Sequence, residues 1–155
     1  MDFRHQITSP DGLSSVSCDA LVLVATGDSV DTTLGAPLAG ALSDAIAQGD
    51  LALKAGKSLY LHRPAGVKAA RVVFAAAGAA TPKAFRAAVV QAIQQLKASG
   101  AKHVAIGLAG SGVLTSAHAE AAVTAVREAT YVYRHTKPSA PAWCGDRRKW
   151  LRVPR

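Results

Sequence analysis

The chain has 155 residues, half of them hydrophobic and 5% aromatic, with a formal net charge of +8. That length supports one domain with its own core, and the alanine-heavy apolar content favours helices packed closely on a sheet over a large aromatic pocket. Five basic residues against Asp146 alone follow Pro141, so half of the surplus sits in the tail and gives little ground for a nucleic-acid-binding fold.

In chain order, "FRHQITS" alternates in character and predicts an opening strand, and Pro10-Asp11-Gly12 is turn chemistry. "DALVLVAT", Asp19 to Thr26, is a continuous apolar run, the pattern of a central strand buried on both faces. "GDSVDTTLG" is a polar loop. Leu38, Leu42, Ala45 and Ile46 then recur at helical spacing, with Gly49 as a C-terminal stop. "KSLYLHRP" and "ARVVFAAAG" are two further strands, too close together for a parallel crossover, and so predict a hairpin.

Thr81-Pro82 opens the clearest helix, a hydroxyl at the N-cap with proline in the first turn. Its buried stripe is Phe85, Ala88, Val89, Ala92, Ile93 and Leu96, and Ser99-Gly100 ends it. "KHVAIGLAG" is another buried strand. Thr115 or Ser116 caps a last helix with Ala119, Ala122, Val123, Val126 and Ala129 inward. The order β, β, α, β, β, α, β, α predicts an α/β fold, a three-layer α/β/α sandwich on a mixed sheet. Residues 1–137 form the domain, and 138–155 are expected to be a linker remnant and a basic tail without ordered structure.

Few residues offer chemistry. Glu120 and Glu128 are the only glutamates and share one face of the last helix, with no histidine or aspartate placed to complete a site, so they read as solvated charges. His5, His62, His103, His118 and His135 lie on different elements and form no metal-ligand spacing. His118 reads as an ordinary first-turn residue. Cys18 and Cys144 are far apart and form no metal or redox pair, which points to a reduced, cytoplasmic protein. "MDFRHQITSP" has no apolar signal core, and no run is long enough to span a membrane.

Gly110, Ser111 and Gly112 are the one candidate site. They follow a buried strand and precede a helix, where glycines let backbone N–H groups approach an anion or a nucleotide phosphate. No P-loop lysine follows, and the alternative is a tight strand-to-helix connection. Ser111 lies in "AGSGV", but Ala109 stands where a nucleophile elbow has its first glycine, so the serine reads as structural.

The succession of motifs resembles the N-terminal domain of cytosolic leucyl aminopeptidases, peptidase family M17. The resemblance is carried by "CDALVLVAT", Gly56-Lys57 before the hairpin, Phe85-Arg86 at the helix start, Gly100-Ala101-Lys102 before the next strand, and Tyr131 to Lys137 at the close, over about residues 15–138. It implies a macro-like α/β/α fold and a non-catalytic accessory role in assembly or regulation. The family's two divalent metals, Zn or Mn, and its catalytic residues belong to a second domain, whose signature Asn-Thr-Asp-Ala-Glu-Gly-Arg-Leu does not occur here. No catalytic residue is therefore carried over, and the chain is expected to be inactive alone and to need no cofactor. "AAAGAA" replaces the family's "GLG" turn, so no role is carried over for that turn either.

"YRHTKPSAP" corresponds to the linker toward the catalytic domain, the implied partner, and "AWCGDRRKWLRVPR" reads as a truncated or frameshifted end. The resemblance leaves three functions open: the accessory domain, a macro-like module for ADP-ribose or a related nucleotide, and a DNA-binding regulatory domain. It also allows a weak homo-oligomer.

Overall fold

The computed structural model describes residues 2–27, 34–110 and 113–131, and the backbone of 150–154. The strands are β1 (Asp2–Gln6), β2 (Ala20–Thr26), β3 (Lys57–His62), β4 (Arg71–Gly78), β5 (Val104–Ala109) and β6 (Trp150–Pro154). The helices are α1 (Ala36–Ala47), α2 (Pro82–Leu96) and α3 (Ser116–Thr130), with short 3-10 turns at Pro10–Ser15 and Lys97–Ser99. The strands form one sheet in the order β1-β6-β5-β2-β4-β3. All neighbours are parallel except β3 and β4, which form the expected antiparallel hairpin.

β2 shows why the chain folds this way. All seven of its residues are buried, so both edges need strands and both faces need cover. β4 and β5 pair with it on either side. Its side chains then alternate between two cores. Ala20, Val22 and Val24 join Val73, Ala75, Ile106 and the inner faces of α2 and α3. Leu21 and Leu23 join Val72, Phe74, Leu38 and Leu42 on the α1 side. Each fully buried leucine or phenylalanine contributes about 1.5–3 kcal/mol relative to exposure.

α2 buries Phe85, Ala88, Val89, Ala92, Ile93 and Leu96, the stripe read from its spacing. The Thr81 hydroxyl accepts from the Ala84 N–H at 3.3 Å at its start. Gly100, at φ 69°, takes the left-handed turn after the 3-10 end.

α3 buries Ala122, Val126 and Ala129 as expected but departs from the expectation at Ala119 and Val123. Its buried residues are His118, Ala122, Ala125, Val126 and Ala129, whereas Ala119 is exposed and Val123 half-buried. His118 is not an ordinary first-turn residue. Its Nδ1 lies 2.9 Å from Thr115 Oγ1 and accepts from the Thr115 N–H at 3.4 Å. The proton then resides on Nε2, 3.3 Å from the Ala80 carbonyl. The ring meets Phe85 edge-on at 5.3 Å, tying the start of α3 to α2. A histidine whose two nitrogens and apolar edge all find partners can replace an alanine inside.

β6 also departs from the reading of residues 138–155 as a tail without ordered structure. It lies between β1 and β5, with Asp2 opposite Trp150 and Val104 opposite Leu151. "WLRVP" contains strand-forming tryptophan and valine, but its shortness and arginine-rich flank hide any alternation. The remainder of that tail, 138–149 and Arg155, lies outside the described residues.

Asp19 holds the loop before β5 against the start of β2. Its carboxylate accepts from the N–H groups of Lys102 at 2.8 Å and His103 at 2.9 Å. Partial burial raises its pKa and is the largest single influence, but those two bonds and the positive charges of His103 and Arg71 outweigh it and leave the net value lowered. A lowered folded pKa gives stability that is complete above the ordinary aspartate range and is lost as pH falls through the folded value. Asp19→Ala should therefore cost about 1 kcal/mol at neutral pH, after allowance for solvent screening. Urea melts across pH should show the gap to the parent chain closing in acid; a gap independent of pH would contradict this role.

Candidate functional site

β5, β2 and β4 are adjacent and parallel, and each reaches a glycine with positive φ at its carboxyl end: Gly110 at 143°, Gly27 at 83° and Gly78 at 73°. The chain leaving β2 goes to α1 on one face, while that leaving β5 goes to α3 on the other. The ends of β2 and β5 are therefore a switch point in the sheet's topology, the kind of place where open α/β sheets receive ligands.

Of the candidate residues, Gly110 lies at this point, while Ser111 and Gly112 lie outside the described residues. Gly110 has a structural reason to be glycine. A Cβ there would collide with the Thr26 hydroxyl and stand 2.7 Å from the Thr26 carbonyl oxygen. The missing side chain lets the two strand ends close on each other.

That contact exposes a residue the sequence reading passed over. Thr26 is only 4% exposed, and its Oγ1 has no hydrogen-bond partner. A buried hydroxyl left unmatched is costly and calls for an explanation. The available signal was that Thr26 is the one polar residue in "ALVLVAT". It lies at the switch point, packed against Gly110, as a donor without a partner.

The acids and histidines are dispersed. Asp19 lies at the opposite, amino end of β2. Glu128 pairs with Arg86 at 2.7 Å, with both side chains about half exposed, a bond worth little to stability. His5 lies on β1, His62 on β3 and His103 just before β5, while His135 and Cys144 fall outside the described residues. Among the described residues no three His, Cys, Asp or Glu side chains gather in a group able to hold a metal ion. The two-metal chemistry of the resembled family finds no fitting donor set there. No helix of the described residues is long and apolar enough to cross a membrane.

A groove of about 360 Å³ lies between β1 and the start of α3, lined by Phe3, His5, Leu114, Ser116, Glu120 and Val123 among others. Ser116, His5 and Glu120 share it, but no hydrogen bond among the described residues links them, so they form no nucleophile–base relay.

Comparison with known proteins adds the following. Residues 21–139 match the profile of the cytosol aminopeptidase family, N-terminal domain. A relative from Methylibium petroleiphilum named "Probable cytosol aminopeptidase" is 59% identical over 140 residues, 90% of this chain and 28% of its own length. One of the same name from Polaromonas sp. is 36% identical over 137 residues, 88% of this chain and 27% of its own. The chain thus spans little more than a quarter of the relatives it matches. A tomato leucine aminopeptidase superposes with a TM-score of 0.75 at 20% identity, covering all of this chain and 32% of that one. The macrodomain of Thermus aquaticus DarG superposes with a TM-score of 0.61 at 11% identity, over 99% of this chain and 97% of that one. Both structural likenesses establish the macro-like α/β fold.

The contact between Gly110 and Thr26 makes a paired prediction. Thr26→Val keeps the shape and removes the unmatched hydroxyl, so the unliganded protein should be unchanged or gain up to about 1 kcal/mol. Gly110→Ala should lose about 2 kcal/mol or more through strain and collision with Thr26. Thermal melts of both variants check this; a marked loss in Thr26→Val would mean that the hydroxyl has a partner within the fold.

Proposed function

The chain belongs to the cytosol aminopeptidase family and corresponds to its N-terminal domain, and from that premise we propose that it is the non-catalytic accessory domain of a metal-dependent, cytoplasmic aminopeptidase. In this reading the reaction, release of N-terminal residues from peptides, belongs to the remaining three-quarters of the enzyme. The domain serves the assembly or regulation of that larger part. The carrying observation is that the match lies in the N-terminal domain, over residues 21–139. The placement of the carboxylates supports it. A two-metal site needs several converging acids, whereas Asp19 braces the start of β2, Glu128 pairs with Arg86 and Asp44 lies on α1.

A second reading is favoured by Thr26: the switch point at the ends of β2 and β5 receives an anion, such as the phosphate of ADP-ribose or a related nucleotide. The unmatched hydroxyl and the glycine-ended strands support it, and the DarG macrodomain shares the fold. Such a ligand would accept the Thr26 O–H and approach the backbone at Gly110. Titration with ADP-ribose and with phosphate should shift the amides of Thr26, Gly27, Gly110 and Val113, and Thr26→Val should weaken the response about tenfold. Unmoved amides at saturating ligand would dismiss this second reading and leave the first intact.

The accessory role is tested in the Methylibium relative. Replacing its N-terminal segment by residues 1–137 of this chain should preserve assembly and activity, while deleting the segment should impair assembly. Unchanged assembly and unchanged kcat/KM after deletion would contradict the role.

A further inference from the structure

The charge of this chain is divided in a way its net value conceals. Every aspartate and glutamate lies outside residues 51–119, a stretch that carries nine lysines and arginines. Part of that stretch is the edge of the sheet. β3 pairs with β4 alone, so alternate backbone N–H and C=O groups along its other side have no strand to meet. Lys54, Lys57, His62, Arg63 and Lys68 are exposed around it. Among the described residues none of these five takes part in an ion pair.

The position of the charges along the strand matters. Charged side chains, lysine above all, are among the devices by which proteins blunt open edges. On the opposite edge a charge stands within the strand, since Arg4 is the central residue of β1. On β3 the charged groups flank the strand, Lys57 at its start and Arg63 just past its finish, while Ser58-Leu59-Tyr60-Leu61 between them is uncharged. The edge is also held rigidly. Gln91 donates to the Gly56 carbonyl at 2.8 Å and to Ser58 Oγ at 3.0 Å, and Gln95 donates to Ser58 Oγ at 2.7 Å. Arg63 adds a further sign. It is the one non-glycine with positive φ among the described residues, at 49°, although it is exposed and asparagine or glycine would relieve the strain.

We infer that β3 is a strand-acceptor edge for an acidic, extended segment of another protein, which adds to the sheet beside β3 with its carboxylates at the Lys57 and His62–Arg63 ends. Main-chain hydrogen bonds to the uncharged centre supply the attachment, and the flanking charges set selectivity and register. A second copy of this chain does not fit. Antiparallel pairing of β3 with itself about its centre would bring Lys57 of each copy beside Arg63 of the other, and like charges brought together oppose association.

The test uses the full chain and a short acetylated peptide of alternating valine and threonine flanked by glutamates. Three controls accompany it: the same peptide N-methylated at alternate central residues, a lysine-flanked version, and a short DNA duplex. The glutamate peptide should shift the amides of residues 57–63, and the N-methylated and lysine-flanked peptides should not. The double variant Lys57→Glu with Arg63→Glu should weaken the glutamate peptide by about tenfold or more and admit the lysine-flanked one. Two outcomes overturn the inference: no response at β3 to the glutamate peptide, or equal responses to the N-methylated peptide or to DNA, which would make this edge a general polyanion surface.

Discussion

The burial of β2 on every side is the constraint from which the architecture follows. A strand with all seven residues out of water cannot lie at an edge or under a single layer. It requires hydrogen-bonded neighbours along its length and apolar cover above and below. β4 and β5 provide the first, and α1 on one face with α2 and α3 on the other provide the second. The remaining strands are additions to that centre, with β3 hairpinned onto β4 and β6 carrying β1 beyond β5.

The same constraint positions the candidate site. Because β2 sits where the chain's course across the sheet reverses, its carboxyl end opens between connections that leave to opposite faces. Thr26 is the last residue of that strand and inherits its burial without gaining a hydrogen-bond partner. Gly110 allows the neighbouring strand end to come close enough to cover it. Packing therefore accounts for the glycine, and only the hydroxyl asks for something from outside.

The central strand and α2 were legible because their patterns are uncompromised: an unbroken apolar run in one case, a full-turn stripe of large side chains with a Thr-Pro start in the other. In α3 the inward positions Ala122, Val126 and Ala129 were legible, but Ala119 and Val123 were taken as inward in place of His118 and Ala125. Alanine occupies so many of its positions that the two faces differ little in hydrophobicity, and the residue that sets the phase, His118, is polar yet buried. β6 was missed because five residues beside a run of arginines carry almost no periodic signal; its register is set by β1 and β5, which are distant in sequence. Thr26 was visible as a residue but not as a problem, since only the fold shows that its hydroxyl lacks a partner. The edge character of β3 likewise required the strand order, although the acid-free stretch is plain in the sequence.

The central claim is that this chain supplies an accessory domain and that catalysis belongs elsewhere in the enzyme. Its most direct test is turnover of a leucine chromogenic amide by the purified 155-residue chain with manganese or zinc added. The account predicts no turnover above the metal-only blank with either ion. Metal-dependent turnover that co-purifies with the chain and is abolished by chelation would contradict it, and would require a metal-binding catalytic site within these residues.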